Sequence, residues 1–280
     1  MELQQIKQLL TALGFAPQEG TKGILRKKYP QHGNYSVTVD CDKLIINYGD
    51  KIKCGSRRTL NFSKDENFVV LECVDRLLRK GYKPKNIELE KIWPAGRGHS
   101  GELDICIYRD GKGRKEYLLI ECKTYGAEFD KELAKMGKDG GQLFTYFKFS
   151  NSADLLMLYA SKLSSGDIFY RNEIVQIEEK YRAGDVADTY EQWNKLTTNN
   201  GIFEVGREPY QYKTKALKHS DLRDIRLEDS KFIFIQFLEI LRHNVVSDKP
   251  NAFNKIFTLF LCKIYDEKMR EDTDEDLHFQ

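Results

Sequence analysis

The chain has 280 residues, of which 40% are hydrophobic and 31% are charged, and its formal net charge is +2. That length suffices for one large or two ordinary domains with a buried core. No apolar run reaches the roughly 18 residues that a membrane-spanning helix needs, and the N-terminus lacks the basic start and unbroken apolar block of a secretory signal. The six cysteines include no C-x-x-C pair. We therefore expect reduced thiols in a cytoplasmic protein rather than a zinc site.

The N-terminal segment, residues 1–62, is predicted to be one amphipathic helix followed by a basic, β-rich extension. YSVTVD and KLIINYG have the pattern of a hairpin. Nine lysines and arginines stand against three aspartates between residues 21 and 58, an excess that favours contact with a polyanion such as DNA. A solvated, lysine-rich surface explains this charge equally well. The expected DNA contacts are Lys22, Arg26, Lys27, Lys28, Arg57 and Arg58.

Residues 63–200 are predicted to form an α/β domain in which a helix, three strands, a helix and a fourth strand follow one another. The first helix begins with the capping-box pattern of Ser63 and Glu66 and ends at Gly81. The three strands are NIELEKIW, GELDICIYR and KEYLLIECKTY, with DGKGR as the turn between the last two. A helix over about 127–149 and the strand ADLLMLYAS complete an α/β layer.

Three charged residues are predicted to meet at one edge of this sheet. Because side chains alternate across a strand, Glu121 and Lys123 share one face of their strand and Cys122 lies on the other. Pairing through the turn brings Asp104 beside them. Two carboxylates form an oxygen-rich site for a hard cation such as Mg²⁺, with Mn²⁺ as a substitute, and the ammonium can stabilise charge on a phosphate. A structural ion pair at the sheet edge is the alternative.

The pattern of Asp104 followed by Glu121-x-Lys123 at the end of an apolar strand resembles the PD-(D/E)xK nuclease superfamily. Leu103 stands where the superfamily motif has Pro. The predicted element order over about 63–161 is also that of the superfamily. The resemblance implies a restriction-endonuclease-like core, a mixed central sheet flanked by helices. It also implies Mg²⁺-dependent hydrolysis of DNA phosphodiesters.

The resemblance also assigns roles to the residues of the motif. Asp104 and Glu121 are expected to bind the metal ion, and Lys123 to orient or activate the attacking water and stabilise the charged phosphorane. Glu72, on the preceding helix, is expected to join the metal ligands, although a solvated glutamate fits its position equally well. A second hypothesis from a different class is a non-catalytic DNA-binding or assembly module that retains the nuclease fold.

Two further elements lie near this motif. Gln142 and Tyr146, four residues apart in GGQLFTYFKF, resemble the Q-x-x-x-Y element of type I restriction enzymes and RecB-like nucleases. That resemblance implies support of DNA contact near the site; helix capping and packing are the alternative. His99, in the loop AGRGHSG, is expected to contact a phosphate, although loop histidines are more often incidental.

Residues 201–219 are predicted to be a linker, and residues 220–280 a helical segment. FLEILRHNVVSDKPNAFNKIFTLFLCKIYDE, residues 237–267, resembles the start of type I and related N6-adenine DNA methyltransferases. The sequence has no N-P-P-[YF] motif and no glycine-rich cofactor loop. The resemblance implies the N-terminal part of a longer prokaryotic restriction-modification protein that acts on double-stranded DNA. Its methyltransferase and specificity regions would lie beyond residue 280 or on another subunit.

Overall fold

The computed structural model describes a large part of the chain: residues 3–93, 101–111, 115–150, 152–177, 182, 202–203, 208–211, 219–222, 249–273, 275 and 277. The chain divides into two compact units, Met1–Tyr212 and Lys213–Gln280. The predicted N-terminal extension and the predicted α/β domain lie in the same unit, and the boundary falls within the predicted linker. In these described ranges, no helix is long and apolar enough to cross a membrane.

The first unit begins with helix α1, Leu3–Ala12, and a small antiparallel sheet. The strands of that sheet follow in the order β1 Ala16–Pro17, β2 Ile24–Tyr29, β3 Tyr35–Asp40 and β4 Ile45–Asn47. β3 and β4 form the predicted hairpin, with Val39 opposite Ile46. The alternation of YSVTVD buries Tyr35, Val37 and Val39 on one face. β2 was not predicted as a separate strand, because its inward residues include the charged Lys27.

The larger sheet has six strands of mixed direction, in the order β10-β9-β8-β7-β6-β5. They are β5 Lys53–Cys54, β6 Ile87–Ile92, β7 Glu102–Tyr108, β8 Glu116–Cys122, β9 Leu155–Ser164 and β10 Asp167–Gln176. β7 and β8 pair antiparallel, as predicted, and β8 and β9 pair parallel. Parallel strands need a crossover connection between them, and helices supply it here.

Helices cover both faces of the six-stranded sheet. They are α2 Asp65–Lys80, α3 Ala127–Asp139 and α4 Gly141–Ser150. α2 packs on one face together with α1 and the small sheet, and α3 and α4 pack on the other. The first unit is therefore a mixed α/β structure with two sheets.

One predicted helix start differs from the structure, and one predicted helix break is observed. The helix predicted over 127–149 is divided into α3 and α4 within GKDGG, residues 137–141, a stretch whose glycines predict a helix break. Gly140 and Gly141 have φ angles of 84° and 57° there, a left-handed conformation that glycine tolerates best. The predicted capping box is wrong: Lys64 occupies the N-cap of α2 and makes no side-chain hydrogen bond to it. The helix ends at Gly81 in the left-handed conformation, as predicted.

The second unit contains helix α5, Lys249–Met269, which lies within the predicted C-terminal helical segment. Apolar side chains are exposed along its described part: Phe257, Leu259, Phe260, Leu261, Ile264, Tyr265 and Met269. The predicted helix before it, including Phe234 and Leu241, lies outside the described residues.

Candidate metal and phosphate site

Asp104 and Glu121 occupy facing positions on the neighbouring strands β7 and β8. The register pairs Ile105 with Ile120, so the next step along both strands brings Asp104 opposite Glu121. The backbone N–H of Cys122 donates a hydrogen bond to Oδ2 of Asp104 at 2.7 Å. The side chain of Cys122 is fully buried on the opposite face of the sheet. The hairpin therefore brings the two carboxylates together.

Lys123 places its ammonium between two carboxylates. Its Nζ lies 2.5 Å from Oε1 of Glu121 and 3.2 Å from Oε1 of Glu66, at the start of α2. Its backbone N–H donates to the carbonyl of Tyr159 at 2.9 Å, which extends the pairing of β8 with β9 past the last residue of β8. The three residues of the predicted motif thus lie in one cluster, with Glu66 as a fourth member.

Burial dominates the electrostatics of this cluster. It raises the pKa of Asp104 to about 7, and Glu66 adds like-charge repulsion. Burial, together with Asp104, also raises the pKa of Glu121 well above its usual value, although Lys123 opposes the shift. Burial works against the charged form of Lys123, but Glu121 and Glu66 outweigh it and raise the pKa of the ammonium. Strongly shifted titratable groups gathered at one site are typical of functional sites.

The second carboxylate oxygen of Glu121, Oε2, is buried and has no hydrogen-bond partner among the described residues. An unpaired buried acceptor is unfavourable, and a bound cation would satisfy it. Asp104 and Glu121 are oxygen ligands of the kind that Mg²⁺ takes, often with several waters retained. In the part of the chain that the structure describes, no group of three or more His, Cys, Asp or Glu residues is arranged to hold a metal ion. Water or substrate oxygens would therefore have to complete the coordination.

Glu72 does not belong to this cluster. Its carboxylate is fully buried, accepts a hydrogen bond from the hydroxyl of Tyr159 at 2.6 Å, and pairs with the guanidinium of Arg76 at 2.5 Å. Both oxygens are satisfied, so the carboxylate has a structural role. The expectation that Glu72 is a metal ligand is not supported, and Glu66 is the carboxylate of α2 that reaches Lys123.

Two matched substitutions on α2 separate these roles. Glu72→Gln is expected to lower the free energy of unfolding by about 3 kcal/mol, because Arg76 loses its buried counter-charge. Glu66→Gln is expected to leave the free energy of unfolding nearly unchanged. It is expected to reduce any metal-dependent cleavage by roughly tenfold, because Lys123 loses one of the two carboxylates that position its ammonium. Urea unfolding and plasmid cleavage would measure the two effects. Loss of cleavage by a fully folded Glu72→Gln variant would contradict the assignment.

Gln142 and Tyr146 lie on α4 beside the carboxylates. The amide of Gln142 donates to the hydroxyl of Tyr146 over a long 3.4 Å. Burial, with smaller contributions from Glu121 and Asp104, raises the pKa of Tyr146, and a tyrosine hydroxyl is protonated at neutral pH even without this shift. Both side chains line an open cleft of about 690 Å³, whose lining also includes Glu102 but none of Asp104, Glu121 and Lys123. The electrostatic influence of Glu121 and Asp104 on Tyr146 indicates that the predicted Q-x-x-x-Y element lies near the predicted motif.

The basic residues expected to contact DNA divide into two groups. Lys27 forms an ion pair with the buried Asp75 and donates to the carbonyl of Leu13, so its predicted DNA contact is replaced by a structural role. Arg58 is exposed but pairs with Glu102. The remaining four side chains reach solvent fully or in part: Lys22, Arg26, Lys28 and Arg57. His99 lies outside the described residues.

Sequence reasoning missed two acidic residues next to the site. The β6–β7 register brings Glu90 opposite Asp104, and Glu102 lies two residues before Asp104 on β7. Burial and a hydrogen bond with Glu102 raise the pKa of Glu90 to about 8. Glu90 also has a φ angle of 50°, an uncommon conformation for a residue other than glycine. Antiparallel alignment of NIELEKIW with GELDICIY would have indicated its position.

Comparison with known proteins does not identify this chain. No protein-family model matches it, and no curated protein matches it.

Proposed function

We propose that this protein is a Mg²⁺-dependent DNA endonuclease with a restriction-endonuclease-like core. One observation carries the proposal: the carboxylates of Asp104 and Glu121 and the ammonium of Lys123 lie together at facing positions of two neighbouring strands. The buried, unpaired oxygen of Glu121 supports the presence of a cation. Two carboxylates and one lysine match the needs of phosphodiester hydrolysis, in which negative charge develops on a phosphate.

Each residue of the cluster has a part in the proposed reaction. Asp104 and Glu121 would hold the metal ion, which when bound polarises a phosphate oxygen and lowers the pKa of a water molecule. The hydrogen bond from Cys122 fixes the orientation of Asp104. Lys123 orients the attacking water and stabilises the charge on the phosphate. Tyr146, with its protonated hydroxyl, donates to the DNA backbone beside the site.

The proposed setting is a restriction-modification protein. In it, the unit Met1–Tyr212 would cut double-stranded DNA. The exposed basic residues of the N-terminal segment, such as Lys22 and Lys28, would contact phosphates. Methyltransferase and specificity regions on the same or another subunit would supply modification and sequence recognition.

A non-catalytic DNA-binding module is the second candidate function, and one observation favours it. Lys123 already pairs with both Glu121 and Glu66, so much of the acidic charge of the cluster is balanced without a metal ion. Such a module would bind DNA without metal, and its affinity would fall steeply with salt concentration.

Metal dependence distinguishes the two candidates. For the nuclease, Mg²⁺ or Mn²⁺ is expected to permit cleavage of supercoiled plasmid, which EDTA abolishes. The same ions are expected to raise the melting temperature of the metal-free protein, since a ligand that binds only the folded state stabilises it. Asp104→Asn is expected to lose both effects. Cleavage in EDTA, or an Asp104→Asn variant as active as the unaltered protein, would overturn the proposed site.

A further inference from the structure

A second cleft in the first unit begins directly after Lys123. It has a volume of about 810 Å³ and lies among α1, the start of α2, the residues that follow β8, and the end of β9. Its lining is mixed. Apolar side chains come from Leu9, Phe68, Val69 and Leu163, and uncharged polar or basic ones from Gln5, Gln8, Thr124, Tyr125, Ser161 and Lys162. None of these residues belongs to the Asp104, Glu121 and Lys123 motif or has a role in the proposed reaction.

Ser161 indicates that the cleft takes a ligand. The residue is only 2% exposed, and its hydroxyl has no hydrogen-bond partner among the described residues. Buried hydroxyls in native proteins are nearly always paired. Ser161 borders the cleft, and an acceptor bound beside it would pair with this hydroxyl once the side chain turns toward the cleft.

The start of α2 supplies a second feature of an anion site. In this helix of 16 residues, the N-cap residue Lys64 makes no side-chain hydrogen bond to the first turn. The first N–H groups of a helix have no partner within the helix, and its dipole is positive at that end. The first turn also carries two carboxylates: Asp65 lines the cleft, and Glu66 pairs with Lys123. Lys162, whose ammonium lies 4.3 Å from the ring centroid of Tyr125, brings a positive charge to the lining.

The lining chemistry matches a nucleic-acid backbone. Hydroxyls, amides and lysine are the side chains that most often contact phosphate oxygens and sugars. Thr124 and Tyr125 stand one and two residues after Lys123, within about 7 Å along an extended chain. Successive phosphates of a strand rise about 3.4 Å along the DNA axis, so a neighbouring phosphate lies within reach of these residues.

We propose that this cleft binds a backbone phosphate of the DNA strand next to the phosphate that is cut. The proposal rests on the proposed function, because Lys123 marks the position of the phosphate that is cut. Ser161 and Lys162 are the expected contacts. Ser161 and Lys162 are expected to contribute to the affinity for DNA, and this contribution depends neither on the metal ion nor on hydrolysis.

Binding of a DNA duplex in EDTA, measured over a range of salt concentrations, tests this assignment. Lys162→Gln is expected to reduce the slope of log affinity against log salt concentration by about one. Ser161→Ala is expected to weaken binding by about tenfold. Lys83→Gln, at an exposed lysine outside both clefts, is the matched control and should change neither quantity. Thermal unfolding of each variant checks that it is folded.

The outcomes separate this proposal from the proposed function. An unchanged salt slope for a folded Lys162→Gln variant overturns the phosphate site, even if plasmid cleavage is intact. A reduced slope in a protein that never cleaves DNA supports the phosphate site and removes the nuclease. Absence of DNA binding by the unaltered protein overturns both. If Ser161→Ala does not fold, Lys162→Gln alone gives the answer.

Discussion

Lys123→Ala is expected to reduce Mg²⁺-dependent plasmid cleavage by at least about 100-fold, the scale observed when one group that stabilises transition-state charge is removed. Metal-ion binding should persist, because Asp104 and Glu121 remain. In the unaltered protein, the ammonium of Lys123 pairs with both Glu121 and Glu66 and offsets the repulsion between their negative charges. Its loss should therefore lower the melting temperature of the metal-free protein, and added Mg²⁺ or Mn²⁺ should restore much of it.

The control for this variant is Lys131→Ala, at an exposed lysine of α3. It should cleave like the unaltered protein and melt at a similar temperature. Cleavage rates and metal-dependent melting shifts, measured on the same preparations, separate catalysis from metal binding. A Lys123→Ala variant that cuts within about twofold of the control would remove Lys123 from the mechanism.

Asp75→Ala is expected to lower the free energy of unfolding by about 3–5 kcal/mol, the range for breaking a buried ion pair. Asp75 on α2 is fully buried. Its carboxylate accepts a hydrogen bond from the hydroxyl of Tyr29 at 2.7 Å, and Nε of Arg79 lies 2.9 Å away. It also pairs with Lys27 of β2. The substitution would leave the ammonium of Lys27 without a counter-charge between the small sheet and α2.

Asp50→Ala, at an exposed aspartate of the same unit, is the matched control and should change the free energy of unfolding by less than about 0.5 kcal/mol. Urea unfolding of both variants measures the difference. A cost below about 1 kcal/mol for Asp75→Ala would mean that the N-terminal segment does not depend on this ion pair for its attachment to α2.

The motif itself was accessible from the sequence because it depends on short-range geometry. A strand has a period of two residues, and a hairpin fixes which residues face one another. These two rules place Asp104 beside Glu121 and Lys123, and turn Cys122 to the other face. The same periodicity identified β7, whereas β8 and β9 were recognised as short apolar runs between turn and helix signals. The metal ion, the cleavage reaction and the DNA substrate remain predictions.

Residues that meet across elements distant in sequence were not accessible in this way. Glu66 and Glu72 are on one helix, six residues and about 240° of rotation apart, and the sequence does not say which side of α2 crosses the end of β8. Lys27 belongs to a basic segment, which predicted a DNA contact, yet in the structure its side chain forms an ion pair with the buried Asp75. In the sequence, nothing distinguishes Ser161 from the other residues of its strand. In the structure, it borders a cleft that residues of α1 and α2 also line.

The sequence by itself thus determined the β3–β4 hairpin, the strands β6 to β9, the register of the β7–β8 hairpin and the charged cluster of Asp104, Glu121 and Lys123, because strand patterns and turn positions act over a few residues. The tertiary structure alone decided that Glu66 joins this cluster, that Glu72 and Lys27 are structural, and that the second cleft lies beside Lys123. Those outcomes depend on how α2 packs against both sheets, and that packing minimises the free energy of the whole unit rather than of any one segment.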